Sequence, residues 1–285
     1  MNPLVARKKS SYDKNLLKQN GGSQMSSTVQ PIKVDKVDGI NLHVFDNRYE
    51  MGVAAARAVA AKMKELLSQK EQIRMVFAAA PSQNEFLKAL IAEDGLDWKR
   101  VTAFHMDEYI DLLEDAPQRF STFLMENLFK HVLPGEVHLI DGLQNPSEEC
   151  RRYRQLIRSD AVDIICLGIG ENGHIAFNDP SFADFQDPEV MKVVKLDEAC
   201  RKQQVNDGCF KQLDDVPTHA LTLTIPTILD AASLFCIVPG EMKQSAVKRT
   251  LSESISTDCP ASILRTHPNC QMYVDRDSYR RVSDV

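Results

Sequence analysis

The stretch Val162–Pro180, VDIICLGIGENGHIAFNDP, constrains the fold of this chain more than any other. It opens with an apolar run from Val162 to Leu167, interrupted only by Asp163. A run of that length ending at glycine reads as a buried strand of a parallel sheet, although a buried helical segment also fits the pattern. Gly168, Gly170 and Gly173 follow at once. Glycines there let backbone N–H groups approach a ligand closely, and in open α/β sheets ligands bind outside the carboxyl ends of the strands. The same loop carries Glu171, Asn172, His174, Asn178 and Asp179. An imidazole and a carboxylate five residues apart on an irregular loop can converge on one point. The plain alternative is a tight strand exit with a surface histidine, the usual fate of a lone His. The glycine density and the nearby carboxylate favour a site.

Strand and helix patterns alternate around this stretch. Asn41–Phe45 alternates as a strand does, and Arg48–Leu67 is alanine-rich and free of proline, so it reads as a helix. Ile73–Ala79 is a strand. Pro81–Asn84 is a turn in which Ser82 or Asn84 is placed to cap a helix running to about Leu90. Val101–Met106, Val137–Ile140, Met191–Leu196, His219–Thr224, Leu234–Val238 and Gln271–Val274 read as strands. Phe120–Lys130, Pro146–Ser159 (with Ser147 as cap) and Glu241–Ser252 read as helices. Ala199–Phe210 is helical or irregular, and Ile225–Ala231 a turn or short helix. The alternation predicts an α/β fold: a single doubly wound, Rossmann-like domain with a mostly parallel central sheet flanked by helices. No interior linker or repeat divides it. Residues 1–30 have few apolar side chains to offset their ordering entropy. The expected organisation is a disordered tail over 1–30 and one domain over 31–285.

Composition narrows the function. A formal charge of −6 argues against a general nucleic-acid binder. No apolar run approaches the roughly 20 residues that span a bilayer, and the start shows no secretory h-region. Seven cysteines, an odd number without CxxC spacing, point to reduced thiols in a cytoplasm. Cys166 and Cys236 sit in apolar contexts as buried, inert thiols.

A second constellation, Phe104–His105–Met106–Asp107–Glu108–Tyr109, falls where the Val101 strand ends. Two carboxylates at one strand end, with His174 at another, form an acid/base candidate; a solvated acidic loop is the alternative. With these residues in view, FHMDEY, GIGENGHIAFNDP, ALTLTIPTILDA and PASILRTHP together resemble the glucosamine-6-phosphate deaminase family. Its superfamily is shared with 6-phosphogluconolactonases. The likeness spans roughly residues 40 to 275, in the right order. MDEY and the AFN after the histidine favour the deaminase branch, since lactonases usually carry DER.

The resemblance implies conversion of a 2-amino-2-deoxyhexose 6-phosphate and water to a ketohexose 6-phosphate and ammonia, without metal or organic cofactor. It implies that His174 opens the sugar ring, with Asp179 and Asn172 orienting its imidazole, and that Asp107 moves the proton between C2 and C1. Glu108 stands beside it among the substrate-binding candidates. Gly168 and Gly170 would offer N–H groups, and Lys243 would contact the phosphate; without the likeness, Lys243 reads as an ordinary solvated helix lysine. The family's members range from monomers to hexamers, so a homo-oligomer is open.

Departures from the family pattern shape the expectation. Asp179 stands where glutamate is usual. The glycine-rich turn of the phosphate loop is replaced by AAAPSQNEF, in which only Ser82, Gln83 and Asn84 can donate, and the compact anion nest that glycines permit is missing. Asn206 falls at the register of the family's phosphate-binding arginine, leaving Arg201, Lys202 or Arg265 to compensate. An intact catalytic core with a rebuilt phosphate grip predicts an altered substrate more readily than a dead enzyme. Two alternatives stay open: lactone hydrolysis on the same scaffold, and a sugar-phosphate sensor without turnover.

Overall fold

The computed structural model describes residues 29–280; residues 1–28, nearly all of the expected tail, lie outside the described residues. The strands are β1 (Lys33–Val37), β2 (Ile40–Phe45), β3 (Ile73–Phe77), β4 (Val101–His105), β5 (Asp107–Tyr109), β6 (Glu136–His138), β7 (Ile164–Leu167), β8 (Met191–Lys195), β9 (His219–Leu223), β10 (Ser233–Val238) and β11 (Cys270–Asp275). The helices are α1 (Arg48–Leu67), α2 (Asn84–Ile91), α3 (Phe120–Leu124), α4 (Lys130–Val132), α5 (Pro146–Ile157), α6 (Glu198–Asn206), α7 (Ile225–Leu229), α8 (Gln244–Ser252) and α9 (Arg276–Tyr279). A π-helical turn, Met125–Phe129, joins α3 to α4.

β3, β4, β7 and β10 are buried at every position, which is why they read as continuous apolar runs. Successive side chains feed two cores: Met75 and Phe77 pack with α1 and α2 on one face, and Val76 packs with α5 and α8 on the other. The main sheet runs β1-β2-β11-β10-β7-β3-β4-β6. Every pairing in it is parallel except β1 with β2. β1, KVDKV, is an exposed edge. Its charges discourage further pairing, and they also hide it from a reading based on apolar pattern.

From β3 the chain moves outward to β4 and β6, then returns to lay β7 on the other side of β3 and proceeds to β10 and β11. The direction of winding therefore reverses between β3 and β7, and a ligand crevice opens at the carboxyl ends of strands at such a point.

Two strands expected in the parallel sheet are elsewhere. β8 and β9 join β5 in a separate antiparallel sheet of order β5-β9-β8. In β8, Val193 and Lys195 are exposed on either side of buried Val194, as in a strand with one wet face. Two caps also differ from expectation. The Asn145 side chain, not Ser147, accepts from the Ser147 and Glu148 N–H groups at the start of α5. Neither Ser82 nor Asn84 caps α2, which is led in by a 3-10 turn, Pro81–Gln83, with proline at its first position. Among the described residues, no helix is long and apolar enough to cross a membrane.

Candidate active site

The loop after β7 folds back on itself. Gly170 N–H donates to His174 O (2.9 Å), and Gly173 N–H donates to Gly170 O (3.0 Å). Asn178 then closes a tight turn, donating from Nδ2 to Ile175 O (3.0 Å) and Leu223 O (2.8 Å). Ala176 takes the left-handed conformation inside that turn (φ 51°), a position where a non-glycine residue is uncommon. This reversal explains the five-residue spacing, for it returns Asp179 to His174. Asp179 Oδ1 lies 3.0 Å from His174 Nδ1. The two groups are paired at close range, although Nδ1 makes no well-aligned hydrogen bond among the described residues.

Asn172 ties the pair together. Its Oδ1 accepts from His174 N–H (3.0 Å) and its Nδ2 donates to Asp179 Oδ1 (2.9 Å). Asp197 N–H donates to the other carboxylate oxygen (3.1 Å). Burial alone would push the Asp179 carboxyl up; contact with His174 and the donated hydrogen bonds outweigh it and hold the group below the ordinary carboxylate value. Gly170 serves differently from the expected N–H donor to substrate. Its N–H is already engaged, and a Cβ there would lie 2.2 Å from the His174 ring, so glycine makes room for the imidazole.

Asp107 follows β4 and opens β5, only 6% exposed. Its carboxylate has no hydrogen bond or ion pair among the described residues. Burial, and then the neighbouring Glu108, push its pKa well up. Asp107 and His174 line one cleft. Glu108 does not. It is fully buried and turned the other way, accepting from Tyr109 N–H, Phe120 N–H, Ser121 N–H and the Ser121 hydroxyl at 2.7–3.0 Å. The expected substrate contact is instead an anchor for the start of α3.

Gly168, Ser82, Gln83 and Lys243 line the same cleft. Gln83 Nε2 donates to Ile237 O (3.2 Å), leaning the β3 exit loop toward β10. Lys243 is 6% exposed, without an ion pair among the described residues, and burial lowers its pKa. Arg201 and Arg265 lie outside the cleft. Arg201 donates to Leu213 O and Val216 O. Arg265 bonds Glu253 O and faces Asp38. Carbonyls and a distant carboxylate thus hold two of the three cations that sequence reasoning offered to the phosphate, and the third, Lys202, pairs with Glu198 on the exposed face of α6, outside the cleft. Gln203 and Gln204 of α6 also line the cleft and were missed. Gln203 Oε1 accepts from Glu171 N–H (2.8 Å), steadying the loop after β7. An amide on a polar helix gives no pattern that would single it out.

A doubly wound sheet with an imidazole–carboxylate pair at its reversal point, and a lone buried acid across the cleft, defines an α/β enzyme of proton-transfer chemistry. The chain belongs to the family described as glucosamine-6-phosphate isomerases/6-phosphogluconolactonase, whose profile matches residues 46–273. It is 34% identical over 224 residues to a glucosamine-6-phosphate deaminase of Bacillus cereus, covering 78% of this chain and 83% of the relative. A glucosamine-6-phosphate deaminase of Halothermothrix orenii is 35% identical over 238 residues, covering 82% and 96%. A solved structure described as a monomeric glucosamine-6-phosphate deaminase of the NagB superfamily superposes with a TM-score of 0.76 at 32% identity, over 84% of this chain and 98% of that one. A 6-phosphogluconolactonase from Thermotoga maritima shares the fold, with a TM-score of 0.68 at 20% identity over 83% and 99%.

Proposed function

We propose that the chain is an amino-sugar phosphate deaminase/isomerase. It converts glucosamine 6-phosphate, or a close relative, and water to a ketohexose 6-phosphate and ammonia. One observation carries the reading: Asp107 and His174 line the same cleft. His174, held by Asp179 and Asn172, passes a proton between the anomeric hydroxyl and the ring oxygen and so opens the ring. Asp107 takes the C2 proton of the open chain and returns it to C1 through an enolamine. The resulting C2 imine adds water and expels ammonia.

Sheet order supports an amino sugar over a lactone. Along β4-β3-β7-β10 the strand exits carry Asp107, then Ser82 and Gln83, then His174, then Lys243. The cleft therefore holds an acid toward one side and a cation toward the other. A 2-ammonium placed beside Asp107 favours its ionised form. A phosphate meets Lys243, the Ser82 hydroxyl and the N-terminal end of the Pro81–Ile91 helical stretch, whose dipole favours an anion. A lactone has a neutral hydroxyl where the 2-ammonium would compensate Asp107, and its hydrolysis moves no proton between C2 and C1.

This reading places the activity in one domain over 31–285, in the cytoplasm, with no nucleic-acid partner; light scattering reads whether a homo-oligomer forms. The test is ammonia release from gluco and galacto amino-sugar 6-phosphates, with unphosphorylated sugars as controls and Asp107→Asn beside wild type. Release that depends on Asp107 is expected. Acid release from 6-phosphogluconolactone without ammonia from any amino sugar would sink the reading in favour of hydrolysis. Thermal stabilisation by sugar phosphates without turnover would favour a sensor.

A further inference from the structure

Behind the His174 ring lies a third group that the reaction above does not use. Cys200, on α6, is 1% exposed, and its thiol faces the Asp179 carboxylate. We propose that His174 Nδ1, an Asp179 oxygen and Cys200 Sγ form an inhibitory site for a thiophilic divalent cation, zinc above all.

The three donor atoms lie within 4.8 Å of one another, and all three residues are buried. Tetrahedral zinc with bonds of about 2.0–2.3 Å holds its donors roughly 3.3–3.8 Å apart, so side-chain adjustments of up to about an ångström complete the set. The second observation is independent of the cysteine. His174 Nδ1 is buried 3.0 Å from Asp179 Oδ1 and makes no well-aligned hydrogen bond among the described residues, which leaves its lone pair inside the cluster. Asn172 Nδ2 and Asp197 N–H already fix the carboxylate, which is the outer support that metal ligands need. One thiolate, one imidazole and one carboxylate suit zinc and disfavour magnesium or calcium, which prefer oxygen alone. Water from the cleft would fill the fourth position.

The consequence follows from proton accounting. The thiol gives its proton to solvent as Sγ coordinates. The metal takes Nδ1, so the remaining ring proton is confined to Nε2. The imidazole then cannot accept a proton from the sugar, and ring opening stops. The ion sits behind the ring rather than in the substrate's path, so kcat falls while KM holds. That kinetic effect rests on the ring-opening role proposed for His174; occupancy of the site does not.

The test uses the full chain and two ions. Cobalt at stoichiometric concentration is expected to give a near-ultraviolet thiolate-to-cobalt charge-transfer band. Zinc at controlled free concentration is expected to lower kcat at unchanged KM. Cys200→Ser should keep turnover, lose the band and weaken zinc inhibition by roughly 100-fold, while Cys209→Ser should change neither. Absence of the band in wild type, or a band and inhibition that persist in Cys200→Ser, would overturn the site. If no turnover is found on any amino sugar, the assigned reaction fails, and the cobalt band still decides the metal site.

Discussion

Asp107 and Asp179 are both buried acids, yet their surroundings push them in opposite directions. Asp107 meets burial and the charge of Glu108 without a donor, and its pKa rises well above 3.8. Asp179 is buried too, but His174, Asn172 and the Asp197 N–H hold its pKa below that value. The signs for stability follow by linkage. A raised carboxyl costs nothing below its unfolded pKa and costs progressively more as pH rises through the folded one. Asp107→Asn is therefore expected to be more stable than wild type at neutral pH, with the gain shrinking toward acid. A lowered carboxyl stabilises above its unfolded pKa and loses that contribution as pH falls through the folded one. Asp179→Asn is expected to be less stable at neutral pH, with the deficit closing on acidification. Urea midpoints at several pH values read both. On the proposed mechanism both variants lose activity: Asp107→Asn by about 100- to 10,000-fold in kcat, as the group that would carry the proton, and Asp179→Asn by on the order of 100-fold through a misplaced imidazole. Equal stabilities of the two variants across pH would contradict the opposed environments.

Elements decide which neighbouring residues share a task, and here sequence reading reached part of the answer. β7 and its loop were legible because an apolar run, three glycines and a His/Asp pair occupy one short stretch. Glu108 was not, because adjacency to Asp107 says nothing about alternation. Asp107 and Glu108 are successive positions of β5, so their side chains leave on opposite sides: one enters the cleft and the other anchors α3. The second sheet escaped for a similar reason. A strand's own pattern shows its buried face, while its partners are set by tertiary packing, so β8 and β9 were assigned to the only sheet in view. Arg201 and Arg265 were offered to the phosphate on charge alone, and backbone carbonyls claimed them. The anchor reading of Glu108 has its own outcome. Glu108→Ala leaves buried N–H groups of Phe120 and Ser121 unpaired, at about 1–3 kcal/mol for each. A lowered thermal midpoint with KM unchanged is expected; a raised KM with stability intact would restore it to substrate binding. Gly170→Ala is the opposite kind of defect. Its methyl group meets the His174 ring, so kcat should collapse while the unfolding free energy falls by about the 1–3 kcal/mol typical of overpacking.

At the scale of the whole molecule, the doubly wound sheet acts as a ruler. Asp107 and Lys243 leave β4 and β10, three strand intervals apart, about 14 Å between strand axes, and their side chains reach inward to shorten the gap. Each is a buried ionisable group without an ion pair among the described residues, and the charged form of each is costly on its own. A ligand positive at one end and negative at the other relieves both costs at once, whereas a neutral sugar relieves neither. The loop after β3 carries no glycine and Arg201 and Arg265 lie outside the cleft, so on the proposed orientation the binding of the anionic end should depend heavily on Lys243. Lys243→Met is expected to raise KM for the phosphorylated substrate by about 10- to 100-fold, the loss of one charge-assisted contact, with kcat nearly kept. Arg201→Met, which removes a cation held by carbonyls outside the cleft, should leave KM alone. Burial lowers the Lys243 pKa, so wild-type KM should climb as pH rises through that value, and the climb should be absent in Lys243→Met. The variant should also be more stable than wild type without ligand and gain less stability from sugar phosphate. If Lys243→Met binds phosphorylated and unphosphorylated sugars with unchanged preference, the anion is gripped elsewhere, and the orientation of the substrate along the sheet must be reversed.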